Sequence, residues 1–186
     1  MTDLSPLTAL GTAEPQALTF GALTLRENSA LALASVALRK DAVQPAPFGL
    51  ALPAPGGWVR DAGIGALWTG PGQWMIEAEG RAEDDFASQL VAQCPGCSVT
   101  DQTDGFVIFE IASSAGPDPV ERLLERLVNL DLGGFGPGSA QRRGFEHMSI
   151  FVIRRAADHL AVMGLRSAAG SIWHALSLAA ERQQEK

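Results

Sequence analysis

The sequence predicts an α+β domain made of two similar β-α-β-β-α halves. Hydrophobic residues make up 46% of the 186 residues and charged residues 19%, which is enough apolar material for one folded core. Short apolar segments typical of strands are separated by longer segments of helical period. The order of these segments repeats once, starting at Phe106, although the two halves share no residue-by-residue identity. The repeat predicts one domain with a doubled architecture rather than two independent domains.

The first half is expected to begin near Ser29, because residues 1–29 are rich in Thr, Ala, Pro and Gly without a sustained period. We interpret residues 1–29 as an arm that is mobile or lies on a partner, and residues 30–186 as the single domain. A strand is predicted over residues 34–40, followed by a short helical turn at residues 48–50. The apolar triplets before and after residues 69–73 predict a hairpin.

A helix over residues 81–93 completes the first half, because three acidic residues precede an apolar face. The second half opens with a strand at residues 106–111. Its first helix has Asp118 as the expected N-cap, Pro119 at the first helical position and Glu121 as the third residue after the cap.

Residues 148–153 and 159–165 form a strand pair, and Ser167 is the expected N-cap of the last helix. Two units of this order are the ingredients of ferredoxin-like half-sheets, in which helices cover one face of an antiparallel sheet.

The charge balance argues against a nucleic-acid-binding protein. The chain has 14 basic and 21 acidic residues, a net charge of -7, whereas nucleic-acid affinity depends on clustered positive charge. The longest apolar run, residues 30–38, is about half the length of a membrane-spanning helix. An acidic residue near the N-terminus does not suit a secretory signal, so we expect a cytoplasmic protein.

Four groups of residues have the spacing of a chemical site. Cys94 and Cys97 are spaced like a redox dithiol or half of a zinc site, but no second ligand pair is evident and Cys94 falls at a helix end. The glycine-rich residues 133–138 lack the Gly-Lys-Ser/Thr ending of a phosphate-binding loop, so a tight loop is favoured. Asp101 and Asp104 could act as an acid/base pair, or could simply form a turn before the strand.

The fourth group joins Ser167 and Ser171 to His174 as a possible nucleophile and base. An N-cap and a helical serine explain the two serines equally well. None of the four groups has the arrangement of a catalytic site, so no catalytic, cofactor-binding or metal-binding residue is expected on this chain.

Four motifs taken together resemble the gamma subunit of heterotetrameric sarcosine oxidase, in order and spacing, over residues 30–180. The motifs are Trp68 to Trp74, Val99 to Gly105, Leu130 to Leu132 with Phe135 to Gly138, and Leu165 to Trp173. The residues that we take from them as family-motif or interface candidates are Gly70, Pro71, Gln73, Trp74, Asp101, Asp104, Gly105, Phe135, Arg166, Ser167 and Trp173.

The resemblance implies a non-catalytic subunit of a bacterial flavoenzyme complex that oxidatively demethylates sarcosine to glycine. In that family the methyl carbon passes to tetrahydrofolate or leaves as formaldehyde, and hydrogen peroxide is formed. FAD and FMN belong to the beta subunit and its border with alpha, NAD and folate to alpha, and zinc to delta. The resemblance therefore implies a chain without a cofactor of its own. It also implies a fold similar to the folate-binding domain of aminomethyltransferases.

Two other functions compete with this interpretation. The main hypothesis is an assembly subunit that docks on the alpha chain and stabilises it, with beta and delta in the same complex. The alternative is a free-standing folate-binding or one-carbon-transfer protein that uses Asp101 or Asp104 on the pterin. A small thiol redox protein is the third possibility and rests on Cys94 and Cys97 alone.

Overall fold

The structure, a computed structural model, describes residues 6–184 as two antiparallel sheets packed face to face. The strands are β1 (Ala17–Phe20), β2 (Leu23–Asn28), β3 (Ala32–Leu38), β4 (Trp58–Asp61), β5 (Ile64–Gly70), β6 (Gln73–Ala78), β7 (Cys97–Asp101), β8 (Phe106–Ser113), β9 (Ala140–Phe145), β10 (Met148–Ala156) and β11 (His159–Leu165). The α-helices are α1 (Phe86–Gln93), α2 (Asp118–Leu127) and α3 (Ala169–Glu181). Short 3-10 turns occur at Pro47–Gly49, Leu132–Gly134 and Arg166–Ala168.

The two sheets have the same strand order over five positions. The first sheet runs β4-β5-β6-β3-β7, and the second runs β9-β10-β11-β8-β2 with β1 added outside β2. The strands β3 to β6 therefore correspond to β8 to β11, and α1 corresponds to α3. The predicted α+β class and the predicted doubling are both confirmed. The structure also contains strands beyond the prediction, namely β4 and β7 in the first half and β9 in the second.

Period-two alternation on the central strands creates three apolar layers. On β8, Phe109 and Ile111 face α2 and α3, whereas Ile108 faces the first sheet. On β6, Trp74 and Ile76 pack towards α1, whereas Met75 faces the second sheet. Each sheet is thus covered by helices on one face and by the other sheet on the opposite face.

The prediction of a separate arm over residues 1–29 is wrong for residues 17–28. Residues 17–28 form β1 and β2, and β2 pairs with β8 along its whole length. Leu23 and Leu25 are each only 2% exposed and lie in the layer under α2 and α3. The alternating segment at residues 23–28 is too short to predict a strand by itself. These residues form a strand because they pair with the otherwise unpaired edge of β8.

Two predicted helix caps are also wrong. Helix α2 begins at Asp118, so its N-cap is Pro117, whose carbonyl accepts from the amides of Val120 and Glu121. Ser167 lies inside the 3-10 turn that precedes α3 and makes no cap hydrogen bond. Helix α1 begins at Phe86 rather than Arg81, with Asp85 as its N-cap. The Asp85 carboxylate accepts from the Ser88 amide at 3.2 Å, and the hydrogen bonds from Ser88 lower the pKa of Asp85.

The two sheets are joined at one side and open at the other. A bridge between Gly57 and Ser139 connects the β4 side of the first sheet to the β9 side of the second. On the opposite side, residues 6–16 cross the opening between β2 and β8 on one sheet and β3 and β7 on the other. Within residues 6–184, no helix is long and apolar enough to cross a membrane.

Candidate functional site

Five of the motif residues meet at the open side of the two sheets. The Arg166 guanidinium lies 3.5 Å from the Asp104 carboxylate, and its backbone amide donates to the Gly105 carbonyl at 3.0 Å. Asp101 ends β7, and its carboxylate accepts from the Thr103 amide at 2.8 Å. Ser167 follows Arg166 and is exposed. The second and fourth motifs are therefore neighbours in space, although more than sixty positions separate them in the sequence.

Two of these residues, Asp104 and Arg166, border a cleft of about 320 Å³ between the sheets. Leu31 and Leu33 line it from the first sheet, and Phe106 and Ile108 line it from the second. Residues 6–9 and Ala13 form its outer wall. Its lining combines these apolar side chains with the polar side chains of Glu27, Asp104 and Arg166, which suits a small amphipathic molecule or an inserted side chain.

A buried carboxylate holds the outer wall of the cleft in place. Glu27 is 1% exposed, and its two oxygens accept from the Leu10 amide at 3.1 Å and the Gln16 amide at 3.4 Å. Arg166 adds a bond of 2.8 Å to the Leu7 carbonyl. The N-terminal segment is thus part of the cleft, which the prediction of a separate arm did not include.

The first motif lies at the opposite end of the first sheet. Gly70, Pro71 and Gln73 form the turn between β5 and β6, next to Leu38, whereas Asp101 pairs with Ala34 near the other end of β3. The hairpin prediction is confirmed, and Gly72 in its turn has a φ of 66°, which favours glycine. About five residues of strand separate this turn from the cleft, on the order of 15 Å.

Two of the three aromatic residues among the family-motif or interface candidates, Trp74 and Phe135, lie in the core. Trp74 is 4% exposed and donates its indole N–H to the Pro53 carbonyl at 2.9 Å. Phe135 is 3% exposed and packs in the layer under α2 and α3. Neither ring can be a surface anchor in this structure, because both are covered by the chain's own residues. Trp173 on α3 is half-buried, with its ring centroid 5.3 Å from that of Phe109.

The two cysteines are buried and are not joined by a disulfide bond. Cys94 ends α1 and Cys97 begins β7, and both thiols are free. Burial, with a smaller contribution from Cys97, raises the pKa of Cys94 to about 11. Burial also raises the pKa of Cys97 against the opposing effect of Arg39. Thiols that resist ionisation are poor nucleophiles and poor metal ligands, so this environment suits core packing.

A charged group between the sheets was not predicted from the sequence. The Arg155 guanidinium binds both oxygens of Glu77, at 2.5 and 3.0 Å, and donates to Glu110 at 3.0 Å. The Trp58 indole N–H donates to Glu77 at 3.0 Å, and the Arg155 guanidinium lies 4.9 Å from the Trp58 ring. Gly65 leaves room for the carboxylate, because a Cβ there would lie 2.4 Å from the nearer oxygen of Glu77.

His159 completes the group by lying 3.0 Å from Glu110. Burial alone would raise the pKa of Glu110, but the hydrogen bonds and charges of His159 and Arg155 outweigh burial and lower it. The two carboxylates likewise outweigh burial at Arg155 and raise its pKa. The sequence carried one signal of this group, namely charged residues inside otherwise apolar strands.

The geometry provides positions for binding but no reactive centre among the described side chains. Between the sheets, Arg155 pairs with both Glu77 and Glu110, and beside the cleft Asp104 and Arg166 form an ion pair. Within residues 6–184, no three His, Cys, Asp or Glu side chains are grouped to bind a metal ion.

Comparison with solved structures supplies the context for this fold. The chain superposes with a TM-score of 0.75 on a chain of heterotetrameric sarcosine oxidase from Corynebacterium sp. U-96, solved in complex with pyrrole 2-carboxylate. The match covers 91% of this chain and 89% of that chain, at 19% sequence identity. The resemblance inferred from the motifs is confirmed as a shared fold.

The glycine cleavage system aminomethyltransferase T from Bartonella henselae has a related fold. It matches with a TM-score of 0.55 and 14% identity over 83% of this chain, but over only 48% of the aminomethyltransferase. The chain therefore spans about half of that enzyme. No protein-family model and no curated protein sequence matches the chain.

Proposed function

We propose that this chain is the gamma subunit of a heterotetrameric sarcosine oxidase, without catalytic residues of its own. The observation that carries the proposal is the match to a chain of heterotetrameric sarcosine oxidase over nine-tenths of both chains. Fold similarity alone does not transfer a function. The proposal gains support from the cleft and the charged group, in which acidic and basic side chains pair with each other.

In the proposed complex the chain docks on the alpha subunit and stabilises it, with beta and delta as further partners in the bacterial cytoplasm. FAD, FMN, NAD, folate and zinc then belong to the partner subunits. The complex would oxidatively demethylate sarcosine to glycine, pass the methyl carbon to tetrahydrofolate, and form hydrogen peroxide.

Co-purification tests this assignment. A tagged chain expressed with the products of its neighbouring genes should retain a large flavoenzyme chain at about 1 M NaCl, where the Debye length is about 3 Å and charge-dependent contacts weaken. The isolated chain should be colourless. Stoichiometric flavin in the isolated chain, or no flavoenzyme chain in the purified complex, would contradict the proposal.

The alternative is a free-standing folate-binding or one-carbon-transfer protein. The observation that favours it is the cleft of about 320 Å³ bordered by Asp104, in a fold shared with an aminomethyltransferase. Its weakness is length, because the chain covers less than half of that enzyme. Calorimetric titration of the isolated chain with tetrahydrofolate separates the two proposals: saturable binding lost in Asp104→Asn supports the alternative, whereas no heat supports the subunit.

A further inference from the structure

The outer edge of β7 is the vacant position in the doubled fold. β7 in the first sheet corresponds to β2 in the second, since each lies outside the first strand of its half. β1 pairs with the outer edge of β2, but among residues 6–184 no strand pairs with the outer edge of β7. The second sheet thus shows that the architecture accepts a strand at this position.

The pairing with β3 determines which backbone groups of β7 point outward. The Gln102 amide donates to the Leu33 carbonyl at 2.8 Å, and the Arg39 amide donates to the Gly96 carbonyl at 3.1 Å. The intervening residues Ser98 and Thr100 therefore exchange their hydrogen bonds with β3. By the alternation of an antiparallel ladder, the N–H and C=O groups of Val99 and Asp101 point to the free edge.

Helix α1 places an apolar side chain on the same side as this edge. Gln93 accepts from the Phe48 amide and Gln89 from Arg81, so that flank of α1 faces the 3-10 turn at Pro47–Gly49. Val91 and Ala87 lie on the other flank, above β7, because helical residues four apart share a face. Val91 is 55% exposed, so its side chain is accessible to a segment that pairs with β7.

The two ends of the edge carry opposite charges. At the Cys97 end, Arg39 donates to the Ser98 hydroxyl at 3.3 Å and is followed by Lys40, and both basic residues are exposed. At the other end, the exposed Asp101 supplies a negative charge, whereas the exposed Asp104 is paired with Arg166. A strand that pairs here meets positive charge at one end, an apolar helix flank at its middle and negative charge at the other end.

We propose that β7 binds an extended segment of the large flavoenzyme chain as a sixth strand of the first sheet. The inference rests on the proposed function and names its contact surface. The segment carries an apolar side chain opposite Val99, directed towards Val91, an acidic residue near Arg39 and a basic residue near Asp101. Main-chain hydrogen bonds supply affinity, and the alternating side chains and terminal charges set the register.

Val99→Pro tests the outward hydrogen bonds directly. Proline at this position removes an N–H that points away from β3 and leaves the ladder to β3 intact, so the fold should persist. Val99→Ala is the matched control, because it shortens the side chain and keeps the N–H. With the complex of the tagged chain as the assay, we expect Val99→Pro to weaken retention of the flavoenzyme chain about tenfold, which corresponds to about 1.4 kcal/mol, relative to Val99→Ala.

Val91→Glu gives a second readout that does not alter the backbone. A carboxylate on this flank should disfavour binding of a segment that packs an apolar side chain beneath it. Leu18 lies on β1 of the other sheet and is 40% exposed, so Leu18→Glu is the control. Circular dichroism of each isolated variant shows whether it is folded. Retention of the flavoenzyme chain by folded Val99→Pro and Val91→Glu variants would overturn the edge proposal while leaving the subunit proposal standing.

Amide hydrogen exchange resolved to single residues locates the strand. The amides of Val99 and Asp101 should exchange quickly in the isolated chain and slowly in the complex, while those of Ser98 and Thr100 are protected in both. A wild-type chain that retains no flavoenzyme partner overturns both proposals. Protection of Val99 that depends on the concentration of the isolated chain would identify a second copy as the occupant and overturn the proposed partner.

Discussion

Loss of Arg155 should lower the unfolding free energy strongly, because this residue pairs with a carboxylate buried between the sheets. Glu77 is 1% exposed, so Arg155→Met would leave its charge without a cation. Removing one partner of a buried pair costs about 3–5 kcal/mol of unfolding free energy. Urea denaturation measures the loss.

A surface pair provides the control for this measurement. Arg60 and Glu79 form an ion pair at 3.0 Å with both side chains more than a third exposed, so Arg60→Met should cost about 0–1 kcal/mol. Replacing Glu77 and Arg155 together by Leu and Met should cost less than Arg155→Met alone. Equal losses for the buried and the surface variant would show that the group between the sheets is hydrated.

Glu110 makes the free energy of unfolding depend on pH in the acidic range. Its pKa is lowered below the ordinary value of 4.5, so the folded state binds the proton of this carboxyl less readily than the unfolded state does. The resulting stabilisation is present above about pH 4.5 and is lost as the pH falls through the lower, folded pKa. Glu110→Gln should therefore flatten the decline in unfolding free energy below this pH. Parallel curves for the variant and the wild type would contradict the assignment.

Among the secondary-structure elements, α1 and α2 each have an aspartate at the N-terminus, and the contributions of these two residues to stability can be compared directly. Asp85 caps α1 through the Ser88 amide, whereas Asp118 is the first residue of α2 and caps nothing. Asp85→Ala should therefore lower the melting temperature more than Asp118→Ala, which removes only a favourable charge at the positive helix end. Thermal melts of the two variants provide the measurement, and the opposite order would place the cap of α2 at Asp118.

The elements that could be predicted from the sequence are those in which the local pattern of apolar residues matches the residues that are buried in the fold. The β5–β6 hairpin has apolar triplets on both sides of a glycine- and proline-containing turn, α2 has a period of about 3.6 residues, and both are present. In contrast, β9 contains Arg142, Arg143 and Gly144, which hide its alternation, and β2 becomes a strand because β8 offers it an edge. Whether such segments form strands depends on their pairing with segments that are distant in the sequence.

The candidate site was predictable only in part for the same reason. The motifs named Asp104 and Arg166, but only the fold shows that these residues meet. Sequence spacing could not distinguish the buried rings of Trp74 and Phe135 from exposed anchors, since loop glycines beside an aromatic residue are compatible with either position. Glu27 belongs to the site because it binds the backbone of the N-terminal segment that covers the cleft, and this contact is visible only in the fold.

For the whole molecule, the doubled architecture depends on a strand from outside the repeat. The second half has no strand after α3 within the described residues, so β2 takes the place that β7 fills in the first half. β2 also contributes Leu23 and Leu25 to the largest apolar layer. The chain before the first predicted repeat is therefore part of the fold.

Removal of residues 1–28 should destroy cooperative folding of the second half. The deletion exposes the edge of β8, removes two buried leucines and frees the cleft of its outer wall. Leu25→Ala tests the same layer without exposing the edge and should cost about 2–5 kcal/mol while leaving the unfolding transition cooperative. Near-ultraviolet circular dichroism and thermal melts distinguish the two outcomes: the deletion should lose the sharp transition that Leu25→Ala keeps at a lower temperature. A deletion variant that melts cooperatively near the wild-type temperature would show that β8 to β11 form a stable sheet without β2, and that the N-terminal hairpin is an addition to the fold rather than a component of it.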